Sequence, residues 1–239
     1  MDAGGDTGGT GTSRLTAIAQ VAVQASVGVG LLVGVPLLAA GRLDWLPAWR
    51  LAGLFVVLLG VNVAVLRRNN PELIRKRMEL GIKARRWDRN LVLALTLAVV
   101  ATLVVAGLDA RLGWADPLPA SAVALGAVLL IVGDLLFLWA MAVNRFFTKL
   151  VVIEPENGHR VVDVGPYRLV RHPGYVGWFV MWLGVPLVLA SGWALLPAAL
   201  ASGGIIARAA LEDADLAAEL PGYRDYAARV RYRLLPGVW

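Results

Sequence analysis

The sequence has no cysteine, few charged residues and only two histidines. The absence of cysteine excludes disulfide bonds, thiolate metal ligands and a cysteine nucleophile. Only 17% of the 239 residues are charged, whereas 58% are hydrophobic and the mean hydropathy is +0.67. Soluble domains of this size are far less apolar, so the composition predicts an integral membrane protein.

The first residues lack both a basic segment and a hydrophobic run. Residues 1–14, MDAGGDTGGTGTSR, are small and polar, which does not fit a cleaved signal peptide. We therefore expect a disordered tail over 1–14, followed by a first membrane helix that is retained. No strand pattern followed by a glycine-rich turn occurs in the sequence, which excludes a soluble dinucleotide-binding or methyl-donor fold.

Long hydrophobic segments dominate the rest of the chain. A helix needs roughly 20 apolar residues to cross about 30 Å of hydrocarbon. Four segments meet this requirement: 15–40, 49–66, 91–108 and 120–143. Two shorter segments, 175–190 and 193–207, are joined only by Ser191 and Gly192 and predict a tight helical hairpin, whether or not it crosses fully. The predicted fold is an all-α polytopic membrane protein with four spanning helices and a C-terminal hairpin.

The basic residues are unevenly distributed between the loops. Twenty lysines and arginines lie on one predicted side, at Arg14, in 67–90, in 145–171 and from Arg208 onward, against three at Arg42, Arg50 and Arg111. This asymmetry predicts that both termini are cytoplasmic, and we expect a cell membrane of bacterial or archaeal type. Orientation and anionic headgroups explain the net charge of +6. No nucleic-acid partner and no metal site are predicted.

The segment 67–90 is too charged to span a membrane. Pro71, between Asn70 and Glu72, resembles the start of a helix. We expect this segment to lie along the inner headgroup surface. It is either a basic tether that fixes topology or a region that grips an anionic lipid substrate.

Polar residues inside the hydrophobic segments are few. A charge at the bilayer centre costs roughly 2.5 to 3.5 kcal/mol on insertion scales, so each one needs a partner. For Asp134 we favour a structural hydrogen bond with a neighbouring helix over a place in a polar cavity, and Asn62, Gln20 and Gln24 fit the structural interpretation as well. The pattern from Gly30 to Gly34 predicts a helix-packing face.

A polar and aromatic cluster, GPYRLVRHPGY, occupies residues 165–175 just before the fifth hydrophobic segment. Pro173 suits the first turn of a helix, whose free N–H groups attract a carboxylate. Arg171 and His172 add hydrogen-bond donors, and Tyr167 and Tyr175 offer aromatic faces to a cation or an adenine ring. The cluster is either a binding site or an interfacial belt of tyrosine and arginine.

A second polar group follows the sixth hydrophobic segment. Arg208 and Glu212 are four residues apart and share one helix face. They either form an ion pair with each other, or Arg208 receives an anionic substrate group while Glu212 accepts hydrogen bonds from a ribose.

The stretch HRVVDVGPYRLVRHPGYVGWF, residues 159–179, resembles the signature of the isoprenylcysteine carboxyl methyltransferase family, which is related to membrane phospholipid methyltransferases. A histidine is followed by Gly-x-Tyr, Arg-His-Pro-x-Tyr-x-Gly, an apolar hairpin and Arg-x-x-x-Glu, in order and spacing. The resemblance covers roughly residues 140–235. It implies that the C-terminal half binds S-adenosyl-L-methionine at the cytosolic face and that a lipid or lipidated substrate enters from the bilayer.

The resemblance also implies roles for individual residues. Arg208 matches the family's substrate-binding arginine and is the predicted catalytic residue. The predicted cofactor-binding residues are His159, Arg160, Val161, Val162, Tyr167, His172, Pro173, Gly174, Tyr175 and Glu212. The implied organisation is a tail over 1–14, transmembrane helices over 15–143 with the interfacial segment 67–90, and a catalytic region over 144–239.

Two departures from the family pattern are visible. Asp213 follows Glu212 where the family often has a second glutamate, which keeps the charge. A glutamine common upstream of the first histidine has no clear counterpart, with Val152 or Glu154 nearby, so that contact is not carried over.

The methyl acceptor is not fixed by the motif. A prenylcysteine carboxylate is the acceptor that the resemblance favours, and it needs orientation and dehydration but no base. A phospholipid amine would have to be neutral, with His172 or Glu212 as the proton acceptor. A sterol-reductase-like enzyme using NADPH is the rival class, although Gly174 and Trp178 stand where that class has asparagine and glutamate. A membrane protein that binds lipid without catalysis is the third alternative.

Overall fold

The computed structural model describes residues 27–71, 73 and 85–239. Besides Pro71 and Leu73, which are also helical, these residues form seven α-helices: α1 (Val27–Ala40), α2 (Leu46–Asn69), α3 (Arg86–Leu112), α4 (Ala120–Val143), α5 (Pro173–Val188), α6 (Leu195–Glu219) and α7 (Tyr223–Arg229). Short 3-10 helices at Pro155–Asn157 and Gly165–Arg168 interrupt the long loop between α4 and α5. The described residues contain no β-strand, in agreement with the all-α prediction.

Four of the described helices are long and apolar enough to cross a membrane, namely α2, α3, α4 and α6. The predicted segments 49–66, 91–108 and 120–143 lie within the first three. The predicted segment 193–207 is only the first half of α6, which continues to Glu219 as a charged helix. Several predicted regions lie outside the described residues: the tail 1–14, the start of the segment 15–40 with Gln20 and Gln24, and half of the segment 67–90, namely 72 and 74–84.

Helices α4 and α5 touch through two pairs of glycines. Gly126 and Gly133 on α4 face Gly184 and Gly177 on α5, seven residues apart on each helix. A Cβ atom added at Gly133 would lie 2.6 Å from the carbonyl oxygen of Gly177. Only residues without a side chain allow the two backbones to approach this closely. This contact fixes α5, and therefore the loop that precedes it, against α4.

The predicted packing face from Gly30 to Gly34 is wrong for the described part of the chain. A Cβ at either position would meet no atom within 4 Å. The close helix contact of α1 occurs instead on α3, where a Cβ at Gly107 would clash with Pro36 and Ala39. A small-xxx-small pattern shows that a close contact is sterically possible, and the bundle geometry decides which glycines make one.

Asp134 is buried in α4 and hydrogen-bonded to a neighbouring helix. Its Oδ2 accepts a 2.7 Å hydrogen bond from Nδ2 of Asn62 on α2. The structural interpretation of Asp134 is therefore confirmed. Nearby, Nδ2 of Asn70 donates to the backbone oxygens of Met141 and Asn144 and joins the end of α2 to the end of α4.

The turn between α5 and α6 is held by a buried aspartate at the end of α3. Oδ2 of Asp109 accepts a 2.6 Å hydrogen bond from Ser191, and its Oδ1 accepts one of 3.2 Å from the backbone N–H of Ala115. Ser191 in turn accepts a hydrogen bond from the backbone N–H of Ala194. The predicted tight hairpin is present, with Ser191 and Gly192 in its turn.

At the other end of the hairpin, the C-terminal segment pairs with the loop that precedes α5. The backbone N–H groups of Arg171 and His172 donate to the carbonyl oxygens of Tyr232 and Arg233, both at 2.9 Å. Pro173 occupies the first turn of α5, as its fixed φ predicts. The loop before α5 is thus held between α4 and the C-terminal segment.

Candidate active site

A cavity of about 480 Å³ lies between the loop region and helices α3, α5 and α6. Its volume is in the range of ligand pockets in proteins. The helices supply mostly apolar lining, including Val92, Leu95, Val99, Trp182 and Ile205. The loop and the charged half of α6 supply most of the polar lining, so one cavity has a polar part and an apolar part.

The structure brings the predicted site residues together around this cavity. Nine of the ten predicted cofactor-binding residues line it: His159, Arg160, Val161, Val162, Tyr167, His172, Gly174, Tyr175 and Glu212. The tenth, Pro173, is buried at the start of α5 and does not line the cavity. Arg208 lines it as well. The sequence positions span more than fifty residues, so only the fold makes them neighbours.

Tyr167 is fixed at the cavity wall by groups from two other elements. Nδ2 of Asn144, directly after α4, donates a 3.0 Å hydrogen bond to the Tyr167 hydroxyl. The hydroxyl of Tyr226 donates to the Tyr167 carbonyl oxygen at 2.8 Å. Burial raises the pKa of Tyr167 well above its usual value, so the phenol stays neutral. Asn144 and Tyr226 line the cavity themselves and were not expected from the motif.

His159 stacks on an aromatic ring of the preceding loop. Its ring lies 4.7 Å from that of Phe146, centroid to centroid, at an interplanar angle of 28°. This stacking fixes the ring plane of the first motif histidine at the cavity wall.

Tyr175 connects three predicted site residues. Its hydroxyl donates a hydrogen bond to Oε2 of Glu212. The ring of His172 stacks beside it at 5.6 Å and 17°, and the guanidinium of Arg208 lies 5.3 Å from the Tyr175 ring centroid. Tyr175 was expected to offer its face to a cation or an adenine ring, and in the structure the guanidinium of Arg208 lies over that ring.

Arg208 does not form its ion pair with Glu212. Its Nε and Nη2 donate to Oδ1 and Oδ2 of Asp88 at 2.7 and 3.1 Å, a bidentate contact with the start of α3. The simple pairing of Arg208 with Glu212 is thus wrong: Glu212 interacts with Tyr175, and Arg208 with Asp88. Sequence reasoning missed Asp88, although an acidic residue at the end of the basic segment, just before an apolar run, was a visible signal.

Asp213, next to Glu212, does not line the cavity and binds several polar groups. It accepts hydrogen bonds from Nη2 of Arg171, Nε of Arg233 and the hydroxyl of Tyr223 at 3.0, 2.9 and 2.7 Å. Nε2 of His172 lies 3.3 Å from Oδ1 of Asp213. The two adjacent acidic residues therefore differ in position: Glu212 lines the cavity, and Asp213 joins the loop, α6, α7 and the C-terminal segment.

Part of the sequence, and the fold, are similar to those of known proteins. Residues 125–218 match the sequence model of the isoprenylcysteine carboxyl methyltransferase (ICMT) family. A probable protein-S-isoprenylcysteine O-methyltransferase of Oryza sativa subsp. indica is 34% identical over 67 residues, which are 28% of this chain and 35% of the relative. Protein-S-isoprenylcysteine O-methyltransferase A of Arabidopsis thaliana is 36% identical over 67 residues, or 28% and 34% of the two chains. The Dictyostelium discoideum enzyme is 28% identical over 116 residues, or 47% and 48%.

The matched part of these relatives is thus about a third to a half of their length. The fold similarity extends further. A solved structure of the eukaryotic intramembrane Ras methyltransferase ICMT, determined without a monobody, aligns with 90% of this chain and 75% of its own chain, with a TM-score of 0.53 at 18% identity. Together with the apolar helices, this similarity identifies an integral membrane protein. The resemblance to the isoprenylcysteine carboxyl methyltransferase family that the motif predicted is confirmed for residues 125–218.

Proposed function

We propose that this protein transfers a methyl group from S-adenosyl-L-methionine to the carboxylate of a prenylcysteine-like lipid in the membrane. The observation that carries the proposal is the composite cavity, in which the motif residues and an apolar wall of membrane helices enclose one space. A water-soluble donor and a lipid acceptor need such a shared site, because transfer requires the reacting atoms to be about 3 to 3.5 Å apart.

The polar lining fits the chemistry of the donor. S-adenosyl-L-methionine carries an electrophilic methyl group on a sulfonium, together with an adenosine and a charged amino-acid group. Glu212 offers a carboxylate for ribose hydroxyls or a cationic group, and His159, Tyr167 and His172 offer ring faces and polar atoms. Arg160 adds hydrogen-bond donors to the same polar lining.

The apolar lining fits a lipid chain. Leu95 and Val99 belong to α3, a helix with the length and composition of a membrane span, and Trp178 and Trp182 belong to α5. An acceptor entering from the bilayer can keep its chain against these side chains while its headgroup reaches Arg208. Arg208 then orients an acceptor carboxylate by charge and hydrogen bonding, and no group on the protein has to remove a proton.

The polar end of the cavity is proposed to face the cytoplasm, because the surplus of basic residues lies in the segments at that end. In this arrangement both termini are cytoplasmic and six hydrophobic segments form the membrane region, the last two as the hairpin α5 and α6. The relatives named above are eukaryotic, and the expectation of a bacterial or archaeal membrane stays a prediction.

Two measurements on the purified full chain in detergent test the proposal. Calorimetry should show binding of S-adenosyl-L-methionine and not of NADPH. Incubation with a labelled methyl donor and total membrane lipid, with an added S-prenylcysteine, should label the prenylcysteine as a base-labile ester. A labelled phospholipid amine would instead identify the phospholipid N-methyltransferase alternative. Binding of neither S-adenosyl-L-methionine nor NADPH would reject both enzyme classes and leave lipid binding.

Variants separate the donor part of the site from the acceptor part. Glu212→Ala and His172→Ala should weaken donor binding, by about tenfold or more for a lost charge-assisted hydrogen bond. Arg208→Ala should leave donor affinity largely intact and abolish turnover, and retained donor binding shows that this variant is folded. Glu219→Ala is the matched control, since Glu219 lies on the same helix, pairs with Arg85 and does not line the cavity. Equal donor affinity in all four variants would contradict these roles.

A further inference from the structure

The side chain of Asp88 is completely buried, yet it belongs to the start of α3, outside the region that matches the family. It does not line the cavity. A buried carboxylate is retained in a protein only when it is neutralised and fully hydrogen-bonded. The groups that bind to Asp88 therefore indicate its role.

Both oxygens of Asp88 are used. Oδ1 accepts from Nε of Arg208 at 2.7 Å, whereas Oδ2 accepts from Nη2 of Arg208 at 3.1 Å and from the backbone N–H of Val151 at 2.6 Å. Nη2 of Arg208 also donates to the carbonyl oxygen of Lys149 at 2.8 Å. One carboxylate thus joins α3, α6 and the loop after α4.

This arrangement fixes the guanidinium in both position and plane. A bidentate contact between arginine and a carboxylate constrains the guanidinium far more than a single hydrogen bond does. The other side of the group is limited by the Tyr175 ring at 5.3 Å. Among the described residues Nη1 has no hydrogen-bond partner, so it is the donor that Arg208 can still offer to a ligand in the cavity.

We propose that Asp88 is a positioning residue, which holds Arg208 in the orientation required to receive the acceptor carboxylate. The inference rests on the proposed function for its effect on turnover. Because Asp88 fixes the plane of the guanidinium, Arg208 presents the N–H groups of Nη1 to the acceptor in a defined direction. Misplacement of a reactant by about 1 Å can lower a rate on the order of 10²-fold.

The variant that tests this is Asp88→Asn. The asparagine has the same shape, but its NH₂ group would face at least one N–H donor, either Nε of Arg208 or the pair formed by Nη2 and the Val151 amide. Arg208 should then leave its position over Tyr175. The matched control is Asp109→Asn, since Asp109 is also buried in the same helix, accepts hydrogen bonds from Ser191 and Ala115, and does not line the cavity.

The full-length protein in detergent is compared in three measurements. In Asp88→Asn, kcat for an S-farnesylcysteine with a blocked amino group should fall on the order of 10²-fold, whereas the Kd for S-adenosyl-L-methionine stays at the wild-type value. Modification of Arg208 by phenylglyoxal, followed by peptide mass spectrometry, should increase. Asp109→Asn should keep both the wild-type kcat and the wild-type extent of Arg208 modification.

The results for Asp88→Asn and Asp109→Asn together support or overturn the positioning role of Asp88. Wild-type kcat and wild-type Arg208 modification in Asp88→Asn would overturn the proposal, as would an equal fall of kcat in Asp109→Asn. If the wild-type protein methylates no prenylcysteine, the proposed function fails on its own, and the phenylglyoxal comparison still shows whether Asp88 holds Arg208. In that case, modification of Arg208 that increases in Asp88→Asn and not in Asp109→Asn would support the positioning role.

Discussion

The two ends of the helical bundle satisfy their buried acidic groups differently. At the end that carries the cavity, Asp88 and Asp213 are paired with arginines. At the opposite end, Asp109 accepts hydrogen bonds only from a serine hydroxyl and a backbone N–H among the described residues. Neutral donors are sufficient to hold a turn. Charged donors are found at the cavity end, where the bundle holds arginines beside the cavity. There, removal of an aspartate charge leaves the charge of its arginine partner without compensation.

The largest loss of stability is expected from a substitution of Asp213. Asp213→Asn removes the charge between Arg171 and Arg233, and breaking a buried ion pair costs about 3 to 5 kcal/mol of unfolding free energy. Asp109→Asn should cost about 1 to 3 kcal/mol, because it disturbs neutral hydrogen bonds only. Thermal unfolding of both variants in detergent measures the difference. Equal losses at both positions would show that the two ends are not energetically distinct.

A smaller effect is expected from the glycine contact that holds the hairpin against α4. Gly133→Ala places a Cβ against the backbone of Gly177 and Met181, so the helices must separate, at about 1 to 3 kcal/mol. Gly30→Ala is the matched control, because a Cβ there meets no described atom within 4 Å and alanine favours a helix. Thermal unfolding should show a loss for Gly133→Ala and none for Gly30→Ala. A larger loss for Gly30→Ala than for Gly133→Ala would mean that Gly30 on α1, and not Gly133 on α4, packs closely against another helix.

The smallest effect is expected from an ion pair at the surface of the cavity end. Arg229 contacts Asp163 at 3.2 Å, and both side chains are more than half exposed. Solvent screening limits such a pair to about 0 to 1 kcal/mol. Arg229→Ala should therefore unfold at nearly the wild-type temperature. If Arg229→Ala lost as much stability as Asp213→Asn, an ion pair would stabilise the cavity end whether it is buried or exposed.

Much of the architecture could be predicted from residue type and spacing. The hydropathy of 91–108 and 120–143 predicted α3 and α4, and Pro173 predicted the start of α5. The extension of α6 to Glu219 was not predicted, since its charged half has no apolar run and is held as a helix by contacts with Trp87, Arg85 and the C-terminal segment. All the predicted motif residues except Pro173 line one cavity, and their roles in binding stay predictions.

The sequence by itself determined that the chain is an apolar, all-helical membrane protein with a hairpin near its end, because hydropathy and helix-stopping residues act locally. It also predicted the resemblance to the isoprenylcysteine carboxyl methyltransferase family over part of the chain, because the motif is contiguous. Only the tertiary structure decided that Arg208 pairs with Asp88 and not with Glu212, and which glycines touch. Those partners are far apart in sequence, and a guanidinium near several carboxylates takes the one that the packing of α3 against α6 brings within hydrogen-bond distance.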